Sequence, residues 1–229
     1  MLRHLVLIPT ELERRIIGPA IAARLGAAAG REPGATVRVE LCGFGIAVAA
    51  ARAAALVATL APARVLLVGI AGRMDDRLPV GSAWRFGRVA CHGIGAGAGA
   101  GFQPAGSLGW RQWPGDPPDD AAAIGDVLPC AAAVGGPPAE SAADLLLTAC
   151  AASATVADVR DRLAAFPAAA AEDMEGFGVA AACRLAGVPL DIVRGISNAA
   201  GDRDPARWRV TAALEAAADL AVRLVEEAV

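Results

Sequence analysis

The sequence predicts an α/β fold in which helices cover a largely parallel β-sheet. Two observations lead to this prediction: short runs of consecutive apolar residues alternate with longer segments of helical spacing, and Pro or Gly residues mark the changes between them. A short, fully apolar run is typical of a strand buried on both faces, and helical crossovers between such strands make them parallel. The 229 residues are sufficient for one domain with a substantial core.

The chain begins with a predicted strand, helix and strand. Residues 5–8 are four consecutive apolar residues followed by Pro9, which indicates a buried strand. Thr10 is a suitable N-cap for the next helix, and Glu13 stands where it would complete a capping box. The alternating residues 37–42 predict the second strand.

A turn at Gly43 and Gly45 leads into an Ala-rich helix, which is predicted to end near Leu60 because Pro62 follows. Residues 65–70 are strongly apolar and predict a third strand. Further helices are predicted over residues 158–165, 176–185 and 208–225, and a last strand over residues 188–196.

The charged residues exclude several classes of protein. The formal net charge is −3, so we expect no nucleic-acid partner, since binding nucleic acid requires a clustered positive face. The sequence contains no Lys, which excludes Schiff-base lysine chemistry, pyridoxal phosphate and a Walker A loop. Only two His residues are present, far apart, at positions 4 and 92. We therefore expect no metal site and no organic cofactor.

The apolar composition predicts neither a membrane span nor a disulfide framework. The mean hydropathy of +0.47 comes largely from Ala, and no run of about 18 apolar residues lacks a charge or a Pro or Gly cluster. The odd number of Cys residues and the absence of CxxC spacing predict buried thiols in a cytoplasmic protein. These are Cys42, Cys91, Cys130, Cys150 and Cys183.

Four segments stand where predicted strands end or a helix begins. Ligands of open α/β sheets bind at the carboxyl ends of the strands, so these segments are the candidates for a site. Three of the four carry carboxylates, and the fourth is a turn of small residues whose backbone a ligand can approach closely. The segments are residues 10–13, 69–72, 173–175 and 197–204.

Several of these motifs resemble the purine nucleoside phosphorylase / methylthioadenosine nucleosidase superfamily. The resemblance is carried by Glu-Asp-Met-Glu-Gly at 172–176, Arg-Gly-Ile-Ser-Asn at 194–198, Glu13 and the turn at 69–72, and is poor over residues 83–165. It implies one domain over residues 1–229 with a central, twisted, mixed β-sheet flanked by helices. It also implies a homo-oligomer and a small-molecule partner, a purine nucleoside.

Within that superfamily the motifs look most like those of futalosine hydrolases. That resemblance implies hydrolysis of futalosine to hypoxanthine and dehypoxanthine futalosine, in menaquinone biosynthesis. Methylthioadenosine/S-adenosylhomocysteine nucleosidase and purine nucleoside phosphorylase are the enzymatic alternatives, and a nucleoside-binding protein is the non-enzymatic one. Glu13 would repel phosphate near the anomeric carbon, and the next cation after the turn at 43–45 is Arg52, so we favour water as the nucleophile.

The chemistry of N-glycosidic cleavage assigns roles to the candidate residues. A carboxylate such as Glu175 is suited to accept hydrogen bonds from the ribose hydroxyls. By resemblance, Glu13 is the general base that activates water, and Met174 supports the sugar. The predicted catalytic residues are Glu13, Asn198 and Asp202, and the predicted substrate-binding residues are Ile70, Ala71, Gly72, Asp173, Met174, Glu175 and Ser197.

Asn198 is a departure from the nucleosidase pattern, which has Asp at this position. The amide of Asn198 donates hydrogen bonds, so it favours the two acceptors of a 6-oxopurine over adenine. A neutral amide is no general acid, which leaves water, Asp202 or another group to protonate the base. We expect Arg14 or Arg73 to meet the distal carboxylate of futalosine, and Trp84 or Phe177 to replace the missing base-stacking aromatic residue.

Overall fold

The computed structural model describes residues 2–26, 36–115, 122–130 and 145–227. Strands and helices alternate along the first part of the chain and again along the last part, with several short strands between. In chain order the elements are β1 (His4–Ile8), α1 (Glu11–Leu25), β2 (Val37–Leu41), α2 (Ile46–Leu60), β3 (Arg64–Arg73), β4 (Ala83–Phe86), β5 (Arg88–His92), β6 (Gly95–Ala96), β7 (Gln103–Pro104), β8 (Val127–Pro129), β9 (Leu145–Ala149), α3 (Val156–Ala165), β10 (Ala169–Asp173), α4 (Gly176–Leu185), β11 (Leu190–Ala199) and α5 (Val210–Glu227).

The central sheet consists of two parallel groups of strands joined at one point. The first group is β2, β1, β3 and β11, and the second is β10, β9 and β5. Two antiparallel strands extend the sheet, β4 beside β11 and β8 beside β5. The predicted mixed sheet flanked by helices is therefore confirmed.

The end of the long strand β3 joins the two groups. Gly72 and Arg73 of β3 pair in antiparallel register with Glu172 and Ala171 of β10. Because the carboxyl ends of β3 and β10 meet here, residues from both groups of strands reach the same region.

Local sequence explains where the helices begin. At α1, Thr10 Oγ1 accepts a hydrogen bond from Glu13 N, and the Glu13 side chain accepts one from Thr10 N, so the predicted capping box is confirmed. Helix α2 begins after Gly45, whose φ of 82° favours glycine. Helix α4 has the predicted limits.

Helices bury both faces of the first group of strands. One apolar cluster packs residues of α2 and α4 against the sheet, including Leu56 and Val179. The opposite cluster packs α1 and α5, including Ile17 and Leu214. Burial on both faces explains the continuous apolar runs of β1 and β3.

The sequence did not predict strands β4 to β9, and two further points differ from the structure. Strand β10 was not predicted, because its Ala-rich sequence has high helix propensity, yet it pairs with β9 and β3 in the sheet. The prediction that all Cys are buried is wrong for Cys150, which is exposed, and for Cys130, which is half-buried. No helix within the described ranges has both the length and the apolar character that a membrane crossing requires.

Candidate active site

The carboxyl ends of β1, β3, β10 and β11 border a cavity of about 200 Å³. Each of the four candidate segments contributes to its wall, although they are far apart in sequence. Of the predicted site residues, the structure brings nine to this cavity: Glu13, Ile70, Ala71, Gly72, Asp173, Met174, Glu175, Ser197 and Asn198.

Glu13 is buried, and three donors hold its carboxylate. Oε2 accepts hydrogen bonds from Thr10 N at 2.9 Å and from Thr10 Oγ1 at 2.6 Å. Oε1 accepts a hydrogen bond from Ile70 N at 3.0 Å, at the end of β3. The residue that caps α1 is thus also fixed to the neighbouring strand, and its carboxylate keeps one orientation in the cavity wall.

Arg194 lies fully buried on β11 beside the acidic residues of the site. Its Nε and Nη2 atoms donate to Asp173 Oδ2 at 3.0 and 2.5 Å, and Nη2 also lies 3.4 Å from Glu175 Oε2. Sequence reasoning used Arg194 only as part of a motif and assigned it no role. The signal that could have found it is an Arg in the middle of an apolar strand, since a buried Arg needs acidic partners.

Gly69 allows Arg194 and Glu13 to approach the same point. A Cβ on Gly69 would overlap Arg194 Nη1 and lie 2.7 Å from Glu13 Oε1. Arg194 Nη1 has no hydrogen-bond partner among the described residues. A buried donor and a buried acceptor therefore flank Gly69 on the carboxyl side of β3, an arrangement suited to hold a small polar molecule.

Asp173 anchors Arg194, because its carboxylate is nearly saturated. Oδ1 accepts from Thr148 Oγ1 at 2.6 Å, and Oδ2 accepts from Gly176 N at 2.9 Å in addition to Arg194. Glu175 differs, since Gly45 N at 3.1 Å is its principal donor. Glu175 therefore retains acceptor capacity for a ligand.

The pKa of Glu175 is raised to about 7. Burial is the main cause, because it disfavours the charged form, and the nearby carboxylates of Asp173 and Glu13 act in the same direction. Arg194 and the Gly45 N–H oppose the rise. Groups with such shifts concentrate at functional sites.

The side chain of Asn198 is oriented by its neighbours. Oδ1 accepts from Ser197 Oγ at 2.8 Å, while Nδ2 donates to Ala199 O at 2.8 Å and, more weakly, to Asp202 O at 3.5 Å. Reversing the amide would place Oδ1 against two carbonyl oxygens, so this orientation is the favourable one. A weakly held amide N–H is available to turn toward a ligand.

Asp202 does not line the cavity with the other predicted catalytic residues. Its carboxylate accepts from Asp204 N at 3.0 Å and from Arg207 Nη2 at 2.7 Å, and the first of these bonds is the main cause that lowers the pKa of Asp202. Only its backbone carbonyl is turned toward Asn198. The prediction placed the Asp202 carboxyl group at the substrate because a short motif does not show which way a loop side chain points.

Glu172 and Ser153 are lining residues that sequence reasoning did not assign. Buried Glu172 accepts hydrogen bonds from Ser153 N at 2.8 Å, Ser153 Oγ at 2.6 Å and Arg162 Nη1 at 2.5 Å. Arg162 Nη2 also donates to Ala151 O at 2.7 Å. This network holds the segment that follows β9 against the cavity.

The expected cations and aromatic residues are not those at the cavity. Arg14 pairs with Glu11 at 2.8 Å and Arg73 with Asp76 at 3.1 Å, and neither Arg lines the wall. The expected stacking residues do not line the wall either, since Phe177 is buried in the apolar core and Trp84 packs against this core. The cation at the wall is Arg203, and the aromatic residues there are Phe44 and Trp208.

In the described ranges, His, Cys, Asp and Glu form no group of three or more that could hold a metal ion. The acidic side chains of the cavity instead receive hydrogen bonds from Arg, hydroxyl and backbone donors. The arrangement is suited to bind the hydroxyl groups of a polar organic ligand.

Comparisons with known proteins show the family of this chain. The model of the phosphorylase superfamily matches residues 27–229. A futalosine hydrolase of Streptomyces coelicolor is 36% identical over 160 residues, which are 70% of this chain and 64% of the length of that relative.

Solved structures share the fold. A 5′-methylthioadenosine/S-adenosylhomocysteine nucleosidase of Helicobacter pylori with butyl-thio-DADMe-Immucillin-A has a TM-score of 0.74 at 15% identity, with 99% of both chains covered. A futalosine hydrolase of Helicobacter pylori has a TM-score of 0.72 at 15% identity, with 99% of this chain and 98% of that chain covered.

Replacing Arg194 is expected to destabilise the protein. Arg194→Met should lower the free energy of unfolding by about 3–5 kcal/mol, because it leaves Asp173 and Glu175 buried without their cation. Arg207→Met, at an exposed ion pair, is the control and should change the free energy of unfolding little. Urea unfolding followed by circular dichroism measures both. A decrease in Arg194→Met no larger than that in the control would contradict the central role of this ion pair.

Proposed function

The chain belongs to the phosphorylase superfamily, and on this premise we propose that it hydrolyses the N-glycosidic bond of futalosine. The products are hypoxanthine and dehypoxanthine futalosine, and the reaction belongs to menaquinone biosynthesis. The observation that carries the proposal is the convergence of two buried carboxylates, Glu13 and Glu175, and the amide of Asn198 on one cavity. No metal and no organic cofactor takes part.

Glu175 binds the ribose in this proposal. Cleavage of the N-glycosidic bond builds positive charge on the sugar, so a carboxylate that accepts hydrogen bonds from the 2′- and 3′-hydroxyls stabilises the transition state. The free acceptor capacity of Glu175 and its fixed position beside Arg194 support this role. Met174 and the backbone of residues 70–72 form the adjoining wall against which the sugar packs.

Glu13 activates the attacking water. Its carboxylate takes the proton as the water oxygen bonds to the anomeric carbon, and the glycosidic electron pair leaves with the purine. Arg194 Nη1 has no partner among the described residues and approaches the same point beside Gly69 as Glu13 Oε1, so in this proposal it donates a hydrogen bond to the same water oxygen. Arg194 then orients a lone pair toward the sugar while Glu13 removes the proton.

Asn198 recognises the leaving base. A 6-oxopurine presents O6 and N7 as acceptors, and the N–H of Asn198 that only weakly reaches Asp202 O can donate to them. Ser197 supports the amide from its other side. Because the Asp202 carboxylate faces Arg207, the proton that the departing hypoxanthine requires comes from water.

Electrostatics favours hydrolysis over phosphorolysis. Four acidic residues line the cavity, whereas Arg203 is the cation among the lining residues. Buried Arg194 is already paired with two carboxylates. Phosphate would enter a region of negative potential, while water would not be repelled.

We also propose that the chain forms a homo-oligomer in the cytoplasm. Leu12 and Phe44 line the mouth of the cavity, yet each is 61% exposed, and Val48 on α2 is 56% exposed. Large apolar side chains grouped at a site entrance are typical of a protein interface. A second copy of the chain over this face would cover them and shield the cavity from bulk solvent.

The direct test is release of hypoxanthine from futalosine in phosphate-free buffer, followed by chromatography. We expect turnover without phosphate, and a decrease in kcat of about 10²–10⁴-fold in Glu13→Gln, which removes the general base but keeps the capping geometry. Glu11→Gln, on the same turn of α1 but exposed, is the matched control and should remain active.

Absence of release, or release only after phosphate is added, would reject the hydrolase assignment. Turnover of methylthioadenosine in preference to futalosine would support the nucleosidase alternative. Tight binding without product, unaffected by Glu13→Gln, would support a nucleoside-binding protein.

Asn198→Asp is expected to shift base preference from 6-oxo to 6-aminopurine nucleosides. The ratio of kcat/KM for inosine to that for adenosine should fall by about 10- to 100-fold, because a carboxyl group at this position accepts from an exocyclic amino group. Asn198→Ala is the control, and it should weaken both substrates without reversing the preference. An unchanged ratio in Asn198→Asp would show that Asn198 does not read the base.

The pH profile should report the ionisation of Glu175. Since the charged carboxylate accepts hydrogen bonds from both ribose hydroxyls and the protonated form does not, kcat/KM should fall about tenfold per pH unit below about 7. Stopped assays between pH 4.5 and pH 9, the lower limit being the ordinary value of Glu, measure this dependence. Glu175→Gln should be less active and should lose this acid limb, and an acid limb near 4.5 in the unaltered enzyme would contradict the assignment.

A further inference from the structure

We propose that Arg203 binds the carboxylate at the far end of the substrate and that Trp208 holds the Arg203 side chain for this contact. The inference rests on the proposed function, since futalosine carries a benzoate-like carboxylate on the part that remains after the base is released. It assigns a specificity-determining residue to a site where the other charged lining residues, within the described ranges, are all acidic.

The charges of the wall make a cation necessary for such a ligand. Glu13, Glu172, Asp173 and Glu175 all line the cavity. The carboxylate of a substrate that enters the cavity would therefore be repelled unless a cation lies beside it. Arg203 is the cation among the lining residues.

Arg203 is available for this contact. It makes no ion pair with any described residue, whereas Arg207 in the same loop is engaged by Asp202 and Asp204. The Arg203 guanidinium carbon lies 5.2 Å from the centroid of the Trp208 ring. A guanidinium stacked over an aromatic face keeps its N–H edges free, and those edges match the two oxygens of a carboxylate.

The stacking partner of Arg203 is itself fixed to the site. Trp208 Nε1 donates to Asp202 O at 3.1 Å, and the same carbonyl oxygen accepts the weaker hydrogen bond from Asn198 Nδ2. Trp208 also lines the cavity. Arg203 thus stacks on a side chain that shares its hydrogen-bond acceptor with the amide that meets the base.

The test compares binding of futalosine with binding of its carboxylate methyl ester by calorimetry. All titrations use the Glu13→Gln background, in which hydrolysis is slowed, and chromatography verifies that no hypoxanthine is released during each titration. In that background we expect Kd for the ester to exceed Kd for the acid by about 10- to 100-fold, because the ester cannot form the charge-assisted hydrogen bonds that the carboxylate forms. Adding Arg203→Gln should weaken binding of the acid only and bring the ratio to about 1. Arg209→Gln, at an exposed Arg that does not line the cavity, is the matched control and should leave the ratio unchanged.

The two proposals fail in different ways. A ratio of about 1 in the starting background, or the same ratio with and without Arg203, would overturn the assignment of Arg203. The proposed function is decided separately, by whether the unaltered enzyme releases hypoxanthine. A decrease of the ratio with rising salt concentration would support the assignment, because the pair is exposed enough to be screened.

Discussion

The buried ion pair between Arg194 and Asp173 is the interaction on which the site depends. Burial, together with the nearby carboxylates of Asp173 and Glu13, raises the pKa of Glu175, and such a group of acids is costly to bury. Arg194 reduces that cost with donors to Asp173 and Glu175. The chain can therefore keep one carboxylate nearly saturated as an anchor and another, Glu175, ready for a ligand.

Secondary structure and site share residues. Glu13 closes the capping box of α1, and its second carboxylate oxygen meets the end of β3. Gly69 has no side chain at a crowded point of β3. This absence also lets the side chains of Arg194 and Glu13 approach each other in the site. Because Glu13 is fixed by the helix and the sheet, its carboxylate is held in one orientation. A general base needs such a fixed orientation to face one atom of its substrate.

Local patterns were sufficient to predict part of this structure. The capping box of Thr10 and Glu13 and the limits of α4 could be predicted, because they depend on residues that are close together in sequence. Strand β10 was missed because pairing with β9 and β3 overrides the helix preference of its Ala residues. The positions of Arg194 Nη1, Arg203 and Trp208 depend on contacts across the fold and on side-chain direction, which no short motif reports.

The joint between the two groups of parallel strands is short, since only Gly72 and Arg73 of β3 pair with β10. Arg194 lies on β11 in the first group of strands and Asp173 lies on β10 in the second, so their ion pair connects the two groups. An exposed ion pair would weaken as the ionic strength rose, whereas an ion pair with no exposed area is shielded from mobile ions. Changes in ionic strength around the protein should therefore weaken this contact between the two groups of strands very little.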